Sequence, residues 1–263
     1  MVMIFFDKLG RKIVSKLESL GKFSLFLVEI VRWLFVPPFR FKEIFYYTEK
    51  IGVDSIAIVS LSTFTTGMII GLQLVNILRL LGAEIYAGAG VAFSMSRELA
   101  PVITAIVLIA KNGSGMTAEI GSMKVTEQID ALETMTVNPL RYLVVPRLFA
   151  SILVFPALTA LANVVGILGG YVASVYIMQV NKVYYLKEMY FWVDPEDIWS
   201  GLIKAFVFGI IVTVICCFNG LNTKGGAKGV GDATTKAVVI STISILIADY
   251  FMTYLFISIF LRV

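Results

Sequence analysis

The sequence KNGSGMTAEIGSMKVTEQIDALETMTVNPLRYLVVPR, residues 111–147, is a long polar passage between two strongly apolar regions. A simple connection between two helices needs only a few residues, so a segment of this length predicts ordered structure of its own. Apolar residues recur at helical spacing over residues 117–135, and Pro139 and Pro146 stop helix propagation beyond them. We therefore predict a short amphipathic helix over about residues 117–135. It would lie on a membrane surface between two spans, where a soluble partner can push on it.

The composition decides the class of protein. The chain has 263 residues, 58% of them hydrophobic and 15% charged, and its mean hydropathy is +0.88. This is far more apolar than an ordinary soluble domain, so we predict an all-α integral membrane protein. The net charge of +4 fits basic residues that flank spans better than a nucleic-acid partner, and none is expected. The chain has no histidine, which removes the commonest metal ligand and proton shuttle, and no metal site is expected.

The hydropathy pattern predicts an N-terminal interfacial region over residues 1–50 and a five-span domain over residues 51–263. Residues 1–22 carry an apolar stripe with basic residues off it, which is typical of a helix in the plane of an anionic leaflet. Residues 23–36 are too few for a span and are interpreted as a re-entrant or interfacial elbow. The five spans are expected at about residues 55–78, 87–110, 148–180, 198–218 and 237–261.

Residues 181–197 and 219–236 are predicted to be loops on opposite faces of the membrane. The second is rich in glycine but matches no Walker A pattern, so it is not interpreted as a nucleotide site. Most of the 22 Lys and Arg residues fall on one face if the N-terminus is cytoplasmic. The positive-inside rule therefore places residues 111–147 in the cytoplasm and the C-terminus outside.

Charged residues within predicted spans are the candidate functional groups, because charge is costly in lipid. Arg97 and Glu98 interrupt the second apolar run. The planar guanidinium of Arg97 suits a phosphate, although a structural ion pair explains the same residues. Asp249, in the fifth span, is either a proton site or a structural partner of Lys204, of Arg97 or of a hydroxyl such as that of Thr253. We favour the structural interpretation of Asp249.

Gly67 and Gly71 in the first span form a GxxxG arrangement. This spacing predicts either a close helix contact or part of a cavity wall, and ordinary span packing explains it equally well.

Four pieces of the sequence together resemble one known family. They are GMIIGLQ at 67–73, the stretch from SRELAP to VVPR at 96–147, GILGGY at 166–171, and FNG with GVGDATTKAVV within 218–239. They look like the MlaE/YrbE permease family, the membrane subunit of ABC-type lipid transporters that work with MCE proteins. The resemblance covers nearly the whole chain, and residues 1–45 match mainly in character.

This resemblance implies a homodimer with a fold similar to the ABCG-type exporters. It implies a cytoplasmic ABC ATPase that binds ATP and Mg²⁺, a small STAS-domain protein, and a periplasmic hexameric MCE protein. The chain would move phospholipid between the bacterial inner membrane and the MCE protein, which maintains the lipid asymmetry of the outer membrane. It would be a transport permease with no cofactor of its own, and not itself an enzyme.

The resemblance also implies roles for particular residues. A coupling helix would dock on the ATPase through Glu119, Met123, Lys124, Glu127, Gln128, Asp130 and Leu132. The lipid site would include Arg97, Glu98, Gly67, Gly71, Leu74, Ile77 and Leu78.

Two other classes of function remain as alternatives. An ion- or proton-coupled secondary transporter would use Arg97, Glu98 and Asp249, but the odd number of spans and the lack of an evident inverted repeat disfavour it. An intramembrane enzyme is disfavoured because the sequence offers no histidine, no paired aspartates within spans and no evident serine–base pair.

Overall fold

The computed structural model describes residues 2–34, 36–37 and 40–260, apart from the side chains of residues 2–16, 19, 259 and 260. This part of the chain is helical and contains no β-strand. Five helical segments are long and apolar enough to cross a membrane, which confirms the predicted architecture. We number them span 1 (Phe41–Arg79), span 2 (Glu84–Val125), span 3 (Leu140–Ile177), span 4 (Pro195–Leu221) and span 5 (Gly226–Ser258).

The helices are as follows. The α-helices are α1 (Val2–Leu34), α2 (Phe41–Gly52), α3 (Ile56–Arg79), α4 (Ala87–Ser94), α5 (Ala100–Leu108), α6 (Ser114–Val125), α7 (Gln128–Thr134), α8 (Val145–Tyr171), α9 (Lys182–Trp192), α10 (Pro195–Leu221) and α11 (Gly226–Phe260). Wider π-helical turns at Met95–Leu99 and Ile109–Gly113 join α4, α5 and α6 into span 2, and two more at Leu140–Val144 and Val172–Ile177 flank α8.

The first helix, α1, has 33 residues and runs through residue 22, so the predicted break there between an interfacial helix and a separate elbow is wrong. The stretch 2–34 contains no proline, and a glycine such as Gly21 costs a helix only about 1 kcal/mol. The later part of α1 is held against span 4, since the rings of Phe23 and Phe26 lie 5.1 and 5.3 Å from that of Phe218.

Spans 1 and 3 cross where glycines of the two helices face each other, so their backbones are in direct contact. A Cβ atom on Gly67 would lie 1.9 Å from the carbonyl oxygen of Gly166, and one on Gly71 would lie 2.8 Å from that of Gly170. Any larger residue would force the two backbones apart. The GxxxG sequence therefore marks a helix contact. Gly67 and Gly71 are buried in this crossing, so close helix packing accounts for both, and their place in a lipid site stays a prediction.

Both segments that were predicted to be loops are largely helical, so these predictions are wrong. The side chain of Asn181 accepts hydrogen bonds from the backbone N–H groups of Val183 and Tyr184 and so starts α9. Gly225 and Gly226, with φ of +91° and +66°, make the turn after span 4, and α11 begins at once. The remaining glycines weaken this first part of α11 without preventing it.

The connections define two faces of the molecule. The α7 face carries residues 126–139 and 222–225, and the α9 face carries residues 80–86 and 178–194. Spans 2, 3 and 4 are substantially buried within the chain, whereas span 1 is less so and span 5 is the least buried. Spans 1 and 5 therefore leave broad apolar surfaces uncovered.

Candidate functional site

A π-helical turn in span 2, Met95–Leu99, carries Arg97 and Glu98. Gly201 of α10 fits directly against this turn, because a Cβ atom there would lie 2.1 Å from the carbonyl oxygen of Ser96. Such widened turns interrupt regular helices at a cost and are frequent at functional sites. Here the turn and the glycine bring span 4 close to both charged side chains.

Glu98 joins a cluster centred on Lys204, whose side chain is only 1% exposed. The ammonium nitrogen of Lys204 lies 2.5 Å from Glu98 Oε2, 2.7 Å from Thr253 Oγ1 and 3.0 Å from Asp249 Oδ1. The hydroxyl of Thr253 in turn donates to Glu98. We call these four residues the Lys204 cluster. An ammonium has three N–H donors, so it can face all three oxygens at once. The ion pair that was considered for Asp249 and Lys204 is present in the structure.

The Lys204 cluster holds two carboxyl groups and one ammonium. The side chain of Glu98 is 39% exposed and that of Asp249 is 18% exposed, so both reach the surface beside the buried ammonium. Buried ionic groups are tolerated only when they are paired and hydrogen-bonded. The cluster thus ties spans 2, 4 and 5 together and leaves part of a carboxyl group open.

Arg97 is paired separately. Its Nε atom lies 3.4 Å from Asp197 Oδ1, and its guanidinium lies 4.7 Å from the centre of the Phe93 ring, within cation–π range. Asp197 also belongs to the capping box that starts α10, together with Asp194. Arg97 and Glu98 therefore do not pair with each other. Their partners lie about 10 Å apart along α10, with Asp197 nearer the α9 face.

The predicted apolar residues of span 1 are only partly available. Ile77 is 55% exposed. Leu74 lies against Gly90 of α4, and Leu78 packs in a cluster that includes Tyr185 of α9. Only Ile77 of these three presents most of its side chain to the surroundings.

The predicted helix over residues 117–135 is wrong as a single element. Helix α6 continues span 2 to Val125, the chain turns at Glu127 with φ of +61°, and α7 then runs over Gln128–Thr134. A left-handed backbone costs a non-glycine residue about 1–2 kcal/mol. The burial of Ile129, which is 2% exposed, offsets this cost. Its side chain packs in the core beneath α7, and the chain has to change direction at Glu127 to place it there.

The residues expected to bind an ATPase differ in how far they are available to a partner. Met123 and Leu132 pack inward against the core. Lys124 and Asp130 form an ion pair of 2.6 Å across the turn. Glu127, Gln128 and Asp130 are exposed, so the outer surface of the turn and α7 is polar and carries acidic groups.

Glu119 lies apart from this surface, in an internal ion network. Its carboxylate accepts from Arg147 at 2.8 Å and from Lys50 at 3.2 Å. Arg147 is fully buried, donates to the carbonyl of Leu143, and stacks over the ring of Tyr47 at 4.3 Å. Sequence reasoning missed Arg147, although a charged residue near the start of the strongly apolar third span was a usable signal.

Comparisons with known proteins agree on one family. The family model described as Permease MlaE matches residues 44–255. A probable ABC transporter permease protein of Rickettsia bellii is 38% identical over 97% of this chain and 99% of its own length. The intermembrane phospholipid transport system permease protein MlaE of Haemophilus influenzae is 36% identical over 96% of this chain and 97% of its own. The chloroplastic protein TRIGALACTOSYLDIACYLGLYCEROL 1 of Arabidopsis thaliana is 40% identical over 79% of this chain and 59% of its own length.

Proposed function

Because the chain belongs to the MlaE permease family of lipid transporters, we propose that it moves phospholipid between the bacterial inner membrane and a periplasmic MCE protein. As a permease of an ABC transporter, it is a transport subunit and not an enzyme on its own. The observation that carries the proposal is the family match over residues 44–255, which takes in nearly all of the five spans and the whole turn at the α7 face. In this role the chain contributes to the lipid asymmetry of the outer membrane.

The energy for transport comes from a cytoplasmic ABC ATPase. That subunit, and not this chain, binds ATP and Mg²⁺. It docks on the α7 face, where Glu127, Gln128 and Asp130 are exposed beside the left-handed turn. A STAS-domain protein accompanies the ATPase. The basic residues of segments 1–50, 111–147 and 224–236 support a cytoplasmic position for both partners, with the N-terminus inside and the C-terminus in the periplasm.

The α9 face then lies in the periplasm, toward the hexameric MCE protein. The uncovered apolar surfaces of spans 1 and 5 support a homodimer, since a second copy can cover part of them. Between two copies, the partly exposed carboxyl of Glu98 and the exposed side chain of Ile77 border a lipid cavity.

Arg97 is the headgroup ligand in this proposal. Its guanidinium is held by a single carboxylate contact and is 21% exposed, so a lipid phosphate can replace Asp197 as its partner. Lys204 is not a headgroup ligand, because it is buried and occupied by the three oxygens around it.

The proposal is tested by purifying the tagged chain from its native membrane in mild detergent and identifying what co-purifies. We expect an ABC ATPase, an MCE-domain protein and bound phospholipid. The substitution Glu127→Gly removes the carboxylate but keeps a left-handed turn that glycine adopts without strain. It should weaken ATPase recovery and leave lipid retention unchanged, whereas Glu188→Gln, on α9, should alter neither.

Recovery of the chain without any ATPase would contradict the proposal and favour an ion-coupled carrier. For the headgroup, Arg97→Gln should lower the amount of co-purified phospholipid relative to Arg79→Gln, which removes an exposed arginine paired with Glu84 near the α9 face. Equal lipid content in the two variants would remove Arg97 from the site.

A further inference from the structure

A second apolar concavity lies away from the proposed lipid cavity, between α1, α10 and α11. Its volume is about 540 Å³. Leu20, Phe23 and Leu27 of α1 form one wall, and Ile211, Ile215 and Ile240 are among the residues of the other. We call it the α1 groove. None of the residues discussed above for headgroup binding or for coupling borders it.

The α1 groove has a polar end and an apolar end. Asn219 lies two residues before span 4 ends at the α7 face, and Lys236 borders the same groove from α11. Ile210 and Ser244 line the groove about two to three helical turns deeper in the membrane. A phospholipid in the leaflet on the α7 face has its phosphate at the membrane surface and its acyl chains below. A lysine at the rim of the groove, with aliphatic side chains below it, matches this order.

Lys236 is available for a ligand. Its side chain is exposed, and among the described residues it takes part in no ion pair. A lysine next to the bilayer surface attracts anionic lipid, by about 1 kcal/mol for each such residue. The amide of Asn219, by contrast, is already committed to the carbonyl of Ile215.

The size of the α1 groove decides between a lipid and a protein helix. A membrane-spanning helix is about 10 Å wide and about 30 Å long, much larger than a groove of about 540 Å³. An extended acyl chain is thin and flexible enough to enter it. We propose that the α1 groove binds an anionic glycerophospholipid of the α7-face leaflet, with one acyl chain along α10 and its phosphate on Lys236.

The test uses the full chain in nanodiscs that contain phosphatidylcholine and a small fraction of phosphatidylglycerol with a photoreactive diazirine in one acyl chain. After irradiation, mass spectrometry locates the labelled peptides. We expect labelling of residues 210–218 and 240–244. Ile240→Trp fills the groove and should abolish that labelling, and Leu27→Trp should do the same from the opposite wall. Ile243→Trp is the matched control, because Ile243 is exposed on the same helix but does not line the groove.

The charge is tested separately. Lys236→Gln should lower labelling by phosphatidylglycerol about fivefold. Labelling by a diazirine phosphatidylcholine should fall by less, because its choline cation offsets the charge of the phosphate. Lys228→Gln, on the same helix outside the groove, should change neither. Unchanged labelling in both tryptophan variants would overturn the site. Equal labelling by the two lipids in the wild type would overturn the choice of an anionic headgroup. An unlabelled groove in a chain that co-purifies with a second membrane protein would overturn the lipid and favour a protein as its occupant. None of these outcomes depends on transport activity.

Discussion

The Lys204 cluster gives a quantitative prediction about stability. Lys204→Met removes the only cation beside Glu98 and Asp249 among the described residues and keeps a long apolar side chain in its place. Removing one partner of a buried ionic group typically costs about 3–5 kcal/mol, because the remaining charge stays buried and unpaired. Glu98 is 39% exposed and water can partly solvate it, so we expect the lower end, about 3 kcal/mol. For a chain of this size this corresponds to a fall in melting temperature of roughly 6–12 °C.

The measurement is thermal unfolding of the purified chain in one detergent, followed by intrinsic fluorescence. Lys182→Met, an exposed lysine at the start of α9, is the control and should shift the melting temperature by little. The triple variant Lys204→Met, Glu98→Gln, Asp249→Asn removes the cation and both anions together. It should recover most of the lost stability, since neutral polar groups avoid the unpaired charge. A single variant as stable as the control, or a triple variant no better than the single one, would refute this account of the cluster.

Three further predictions follow from other contacts. Gly67→Ala should destabilise the chain by roughly 1–3 kcal/mol in the same unfolding assay, because the new methyl group meets the carbonyl of Gly166. Gly231→Ala is the control and should be tolerated, because a methyl group there meets no atom within 4 Å. Arg147→Met should destabilise by about 3 kcal/mol by removing the buried partner of Glu119, and adding Glu119→Gln should restore part of it; no restoration would contradict the pairing. Burial raises the pKa of Tyr185 to about 12, which disfavours its ionisation in the folded state, so the stability of the wild type should fall as the pH rises from 10 to 12. Tyr185→Phe has no group to ionise there and should lose less stability over that range; an equal loss in the two proteins would contradict this prediction.

The sequence predicted the five spans because each depends on composition and length alone. Residues that act by pairing were predicted less well. Asp249 and Lys204 could be proposed as partners because each is too costly to leave alone in lipid. Nothing local predicted that Arg97 and Glu98, adjacent in sequence, would pair with different groups, since this depends on how Gly201 brings α10 against the π-helical turn.

The turn at Glu127 shows a second limit. Residues 117–135 have helical spacing throughout, and no proline or glycine marks a break between Val125 and Gln128. The break arises because Ile129 gains more by burial in the core than the left-handed backbone of Glu127 costs. A tertiary gain of this kind overrides local propensity and has no signature in a single sequence. The same holds for α1, where packing of Phe23 and Phe26 against Phe218 carries the helix across the boundary expected at residue 22.

The geometry of span 2 connects the two ends of the proposed mechanism. The span is helical from Glu84 to Val125, so one helical segment carries Glu98 and leads directly into the exposed turn at Glu127. A displacement applied at the turn must move this segment, bend it at the π-helical turn Ile109–Gly113, or shift α6 against α10. The last is restrained, because Gly121 lies against Thr223 and Gly220 lies against Ile120 without room for a side chain. Movement is therefore expected to pass along span 2 with α10. Glu98 lies on span 2 and Lys204 on α10, whereas Asp249 lies on span 5. We therefore expect the contact between Lys204 and Asp249 to change most when span 2 and α10 move.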